Sequence, residues 1–214
     1  MKKYSFIEKE GDSMPKTEQQ CNEIKKQTRK KILHDSMLYF ARNGFAGTKI
    51  SDLAKHIGIG QGTLYLYFAS KEDLFQEIQK MIEEKQDIKE MKLLAHLPIS
   101  AKKKIMNLSK TVLARLSKDE NFAGMIALNT QMMLEQDCYN SSSDTTYQSE
   151  LYKCTAAIIE QGQKEGTVVT GNAMKLADYY WGVVYLYALK KLFTTQYEMI
   201  EAKDLSRTLL VKGE

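Results

Sequence analysis

"KISDLAKHIGIGQGTLYLYF", Lys49 to Phe68, constrains the fold of this chain more than any other stretch. Two short apolar patterns flank a "GIG", and neither is long enough to hold a helix by itself in water. Such helices persist only when they pack on each other and on a third. Ala54 sits where two helices would touch, Gly58 where a turn needs positive φ, and Leu64 where the second helix would plug the core. Ile50, Leu53, Ile57, Ile59 and Phe68 complete that small core, and Leu64 and Phe68 share one helical face. Gln61, Gly62, Tyr65 and Leu66 then fall on other faces. The spacing predicts a helix-turn-helix. "TLYLYF" also alternates as a strand would, but the chain offers no partner strand.

The rest of the 214 residues reads as helix. Pro is scarce at 2, Gly modest at 12, and Leu, Ile, Lys, Glu, Gln and Met dominate. The expected helices are Glu18–Asn43 (inner face Ile24, Ile32, Ser36, Tyr39, Phe40; cap Gly44), Lys49–Ile57 capped by Thr48, and Gln61–Phe68. Ser70 and Asp73 resemble a capping box opening a long fourth helix through about Ala95, which Pro98 ends. Helices follow from Ser100 to Leu116 (Ile105, Leu108, Val112, Leu113 and Leu116 inward), over 120–136 in one or two pieces, from Thr145 to Glu165, from an Asn172 cap to Phe193, and over Tyr197–Leu210. Residues 1–17 read as a disordered leader, with Met14 a second candidate start.

Charge is uneven. Net charge is +4, yet between Lys25 and Lys71 nine basic residues face only Asp35 and Asp52. A polyanion is the natural partner for that segment. "KKQTRKK", Lys25–Lys31, adds backbone or minor-groove charge, or is a solvated helix start.

The N-terminus lacks the apolar run of a signal peptide. "YYWGVVYLYAL" is far short of the roughly 20 residues that cross a bilayer. Cys21, Cys138 and Cys154 show no pairing pattern, which suits reduced thiols and a cytoplasmic location. His34, His56 and His96 are scattered, with no metal-ligand spacing, P-loop or GxSxG. "GIGQG" lacks the preceding strand that a nucleotide fold needs. The sequence therefore points away from an enzyme, with no metal and no cofactor.

Thr28–Phe75, and above all "GF…T.I.DLAKHIGI..GTLY.YF.SKEDLF" from Gly44, closely resembles the DNA-binding domain of the tetracycline-repressor (TetR) family. The resemblance implies an all-α chain: a helix-turn-helix DNA-binding domain over 18–70, joined to a larger helical ligand-binding and dimerisation domain over 71–214. It implies a homodimeric repressor that a small molecule releases from a palindromic operator. The alternative is a ligand-independent DNA-binding or interaction protein, against which about 120 further helical residues argue. Carried over, the resemblance gives base-edge contacts to Gln61, Gly62, Tyr65 and Leu66, and phosphate contacts to Thr48, Lys49, Thr63, Tyr65, Tyr67 and Lys71. Position 67 is often His in relatives, which leaves the Tyr67 contact open.

The segment Tyr179–Leu189 is apolar nearly all round, so it has a neighbour beyond its own core. Gly182, Val183, Val184 and Tyr187 with Leu151, Cys154 and Ile158 are expected at a four-helix dimer interface, as in the family. Met91, Met106, Met125 and Met132 with Phe122, Tyr152, Tyr180 and Trp181 are the candidate lining of an adaptable apolar pocket, though single residues of these types more often belong to a core. The ligand's chemical class stays open between a cationic drug, a fatty or bile-type acid and a flavonoid.

Overall fold

In the computed structural model, which describes residues 17–83, 87–139 and 150–211, the chain is about 77% helical, and no strand forms among the described residues. The expectations for residues 1–16, for Cys138 and for the helix start at 145–149 lie outside what is described, as do the side chains of 83–87 and 133–149.

α1, Glu18–Asn43, opens on a capping box. The Thr17 hydroxyl accepts from the Gln20 amide at 3.3 Å, and the Gln20 side chain accepts from the Thr17 amide at 2.9 Å. Ile32, Ser36 and Phe40 are buried as expected, but Ile24 is 41% exposed. The helix runs for several turns before it meets a neighbour. Gly44 takes φ +73°, yet its ψ of 154° is extended rather than left-handed helical.

α2, Ile50–Ile57, and α3, Gln61–Tyr67, form the helix-turn-helix. Gly58 turns the chain in the left-handed region at φ 80°, ψ 32°, a conformation that would strain any Cβ. Leu53, Ala54, Leu64 and Phe68 are all but fully buried with Phe40 of α1. Each buried Leu or Phe contributes roughly 1.5–3 kcal/mol of transfer free energy. That burial holds a seven-residue helix whose own propensity would not.

α4, Lys71–Glu83, follows. Ser70 Oγ accepts from the Asp73 amide at 3.0 Å, while Asp73 reaches past the cap to the Ala69 amide at 2.9 Å. Helix resumes as α5, Asp87–His96. Residues 84–86 between them are not described, and the expectation of a single helix through Ala95 falls outside what is described there.

α6 (Ala101–Lys118) lies among α7 (Glu120–Tyr139), α8 (Glu150–Lys164) and α9 (Ala173–Phe193). Its five predicted inward residues are all buried. Asn172 caps α9 by accepting from the Lys175 amide at 3.0 Å. The expected last helix over 197–210 shrinks to α10, Ala202–Ser206. Beyond it the backbone pairs with 167–169 instead: the Val169 amide donates to Leu209 O at 2.9 Å and the Val211 amide to Thr167 O at 3.1 Å. A helix cannot hold those groups as well.

The two halves share a seam. α1 packs along α7, where Gly124 leaves room for Leu38, Gln131 donates to the Ala41 carbonyl, and Arg42 pairs with Glu120.

Candidate functional site

The outer face of α3 carries Gln61, Gly62, Tyr65 and Leu66, all exposed, and Leu66 is 84% exposed. Leu64 and Phe68 anchor the opposite side in the core. Packing within the chain accounts for the inner residues and not the outer ones. A Cβ built on Gly62 meets nothing within 4 Å, and its φ is ordinary, so neither crowding nor backbone strain requires glycine there. Lys49, at the N-cap of α2, is exposed, and Thr63 and Tyr67 are half-buried beside the face.

Two residues expected at this surface are bonded to the backbone beside it. Thr48 is 5% exposed, and its hydroxyl donates to the Gly44 carbonyl at 2.6 Å. It makes no capping bond to α2, whose N-cap is Lys49. Lys71 Nζ donates to the carbonyls of Phe45 (2.9 Å) and Thr48 (3.1 Å) and lies 4.3 Å from the centre of the Phe45 ring. It ties the α1–α2 connection to the start of α4, and it lends the surface charge as well as shape. Thr48 and Lys71 therefore set the backbone that presents α3.

The basic run on α1 divides in the same way. Arg29 pairs with Glu77 at 2.8 Å and stacks over Phe68 at 4.9 Å, and Lys31 donates to the Ile57 carbonyl at 3.1 Å. Lys25, Lys26 and Lys30 remain exposed. The Arg29 hydrogen bond, and then Lys80, holds the Glu77 carboxyl below its ordinary range.

A cavity of about 330 Å³ opens in the second half. Met91, Phe122, Met125 and Trp181 line it. Met106 and Met132 are half-buried outside its lining. Tyr152 and Tyr180 are core residues, and burial pushes the Tyr180 phenol, 3.1 Å from Ser109 Oγ, well above its ordinary range. Unanticipated in the lining are Glu90, Leu93 and Leu94 of α5, Leu97 just beyond it, Asn107, Leu108, Thr111, Val112 and Arg115 of α6, Ile126 of α7 and Leu151 of α8. Helical period reveals that a residue faces inward, not whether it meets atoms or a void.

The apolar α9 also resolves into faces. Tyr179, Gly182, Leu186 and Phe193 are exposed along one side, with Val183 and Tyr187 half-buried near it. Val184 of α9 and Cys154 and Ile158 of α8 are buried within the chain, so they hold its core rather than an outward surface. Leu151, expected with them, is half-buried and faces the cavity.

The chain is thus all-helical in its described residues, with a helix-turn-helix towards its N-terminal end that turns one helix face outward, and a cavity in its second half. Residues 32–78 match the sequence model for bacterial regulatory proteins of the tetR family. Over that stretch the chain is similar to the DNA-binding domain of tetR-family proteins, and the relatives it matches are named as regulators. Over 68 residues it is 35% identical to the HTH-type transcriptional regulator AcrR of Shigella flexneri (32% of this chain, 30% of that protein). Over 114 residues it is 33% identical to the fatty acid metabolism regulator protein of Bacillus subtilis strain 168 (49% of this chain, 52% of that protein). The chain thus matches about half or less of these relatives' length. Among solved structures, the MbdR regulator of Azoarcus sp. CIB shares the fold, with TM-score 0.63, 18% identity, and coverage of 85% of this chain and 97% of that one.

Proposed function

We propose that this protein is a homodimeric transcriptional repressor that reads a palindromic operator with α3 and is released from it by an apolar or amphipathic small molecule. The outer face of α3 carries the proposal: an amide, a glycine with open space around it, a tyrosine and a bare leucine, on a helix whose other side is fully committed to the core. Gln61 has the donor and acceptor pair that suits adenine in the major groove. Gly62 allows the backbone close to a base edge, and Leu66 suits a thymine methyl. Lys49, Thr63, Tyr65 and Tyr67 face or flank the groove as phosphate contacts, with Lys25, Lys26 and Lys30 in reserve. Thr48 and Lys71 act by holding the frame.

The exposed apolar side of α9 supports a two-fold dimer, and mid-helix Gly182, with nothing within 4 Å of its Cβ position, permits a second helix to approach closely. The cavity supports the effector site. α4 begins at the reading domain and α5 forms a wall of that cavity, so a ligand that prefers one wall position biases the spacing of the two α3 helices. Shifting such a population from about 1:99 to 99:1 takes about 5.5 kcal/mol of differential affinity. Linkage then makes DNA weaken ligand binding by the same factor.

The test is selection of binding sites from random duplexes, first with the unaltered chain and then with Gln61→Ala. A palindromic consensus that loses preference at one base position per half-site, by roughly 1–3 kcal/mol, is the expected result. An unchanged consensus would remove Gln61 from base reading, and no consensus at all would defeat the proposal.

A further inference from the structure

The first turns of α1 stand clear of the rest of the described chain. Full burial on this helix begins at Ile32, which is also where the match to the tetR-family model begins. From Glu18 to Gln27 every residue but Cys21 is exposed, and Cys21 and Ile24 are the only apolar side chains on that stretch. At 1.5 Å per residue it is an arm of about 15 Å. The capping box of Thr17 and Gln20 holds its free end helical. Its root is tied to the helix-turn-helix. Arg29 stacks over Phe68 at the end of α3, and Lys31 donates to the Ile57 carbonyl at the end of α2. The seam with α7 lies towards the other end of α1, at Leu38, Ala41 and Arg42.

Lys25, Lys26 and Lys30 are exposed and enter no ion pair among the described residues, whereas Arg29 and Lys31 are bonded to the body. Lys26 and Lys30 lie one turn apart on one face, with Lys25 about 100° round the helix. A helix polar on nearly every side has no apolar stripe to lay in a protein groove or on a lipid surface. What this one offers is positive charge at short spacing, which suits successive phosphates.

We propose that the arm lies along the DNA backbone outside the base pairs that α3 reads, with Lys25, Lys26 and Lys30 on phosphates of the flanking duplex. The arm's role rests on the DNA reading proposed above and adds a second surface to it. At 3.4 Å per base pair, about 15 Å of arm covers about four base pairs. Such contacts raise affinity and carry no base sequence.

The test uses the full chain and the consensus obtained by site selection, on one duplex that ends at the consensus and on another that carries a further helical turn of arbitrary sequence on each side. Lys25→Gln, Lys26→Gln and Lys30→Gln are combined in one variant, and Lys25→Arg, Lys26→Arg and Lys30→Arg in a second. The positions are exposed, and Gln and Arg both suit a helix, so both variants should fold, which their urea midpoints check. On the flanked duplex the Gln variant should bind about tenfold more weakly or worse at 0.1 M salt. Its slope of log affinity against log salt should be shallower by about 2.7, at about 0.9 for each of three phosphates. On the short duplex it should match the unaltered chain. The Arg variant should match the unaltered chain on both duplexes, and all three proteins should select one consensus. Equal loss on the two duplexes would place the lysines within the consensus and overturn the proposal. No loss on either duplex overturns it too, as does a Gln variant with an altered consensus. With a consensus in hand, each of these outcomes strikes only the arm; if the unaltered chain selects none, the arm and the reading by α3 fall together.

Discussion

At the scale of the residue, Lys71 shows how a side chain serves a surface without lying on it. Its ammonium holds two carbonyls and an aromatic ring from the α1–α2 connection. Lys71→Ala should therefore cost about 1–3 kcal/mol of stability in urea unfolding, since hydrogen bonds to charged groups are the stronger kind. It should weaken binding to all duplexes alike. A variant with full stability and weaker DNA binding would make Lys71 a simple phosphate contact. Glu77 gives a pH signature. Its carboxyl is held below the ordinary value of 4.5, so the ion pair's stabilisation is complete above that value and is lost as pH falls through the lowered one. Both partners are partly exposed, so the contribution is about 0.2–1 kcal/mol. Glu77→Gln should lower the urea midpoint at neutral pH, with the gap to the unaltered protein closing as pH falls below the ordinary carboxylate range. The spacing of Ala54, Gly58 and Leu64 was legible in the sequence because each must satisfy a steric demand. The direction of the Thr48 hydroxyl was not, because the carbonyl that claims it belongs to another element's end.

At the scale of the element, α5 is the wall whose position matters, and a buried lysine fixes its far end. Lys104 is 2% exposed, and Nζ donates to the Ala95 carbonyl at 2.6 Å and to Gln161 Oε1 at 2.7 Å. Gln161 in turn donates to the Ile99 carbonyl at 3.0 Å, and Glu165 accepts from the Ala101 amide at 2.9 Å. The α5–α6 connection is thereby bound to α8. Lys104→Met would take the donor from two part-buried acceptors and should cost about 1–3 kcal/mol in urea unfolding; a loss under about 0.5 kcal/mol would mean that water replaces the ammonium. Gly162 of α8 is the other tight point. A Cβ there would overlap Val168 and come within 3.0 Å of Ala101 Cβ. Gly162→Ala should destabilise by about 1–3 kcal/mol through overpacking. Most helix ends could be read from caps and breakers. The shortened α10 could not, because its residues are good helix formers captured by a distant segment.

At the scale of the whole molecule, the proposed dimer rests on α9. Its composition is apolar on every side, and one residue is about 100° of rotation, so Val183 and Val184 look alike in the sequence yet face different surroundings. Leu186→Arg with Phe193→Arg should give folded monomers by light scattering and loosen operator binding, whereas Val184→Arg should unfold the chain. A dimer that survives the double change would place the interface elsewhere. The seam between α1 and α7 has a different consequence. Because Leu38, Ala41 and Arg42 are seated on Gly124, Gln131 and Glu120, the reading half is not a detachable cassette. A chimera that joins residues 17–70 to the second half of a relative inherits an α7 cut for a different α1. Specificity and response can be recombined only by moving both sides of the seam together.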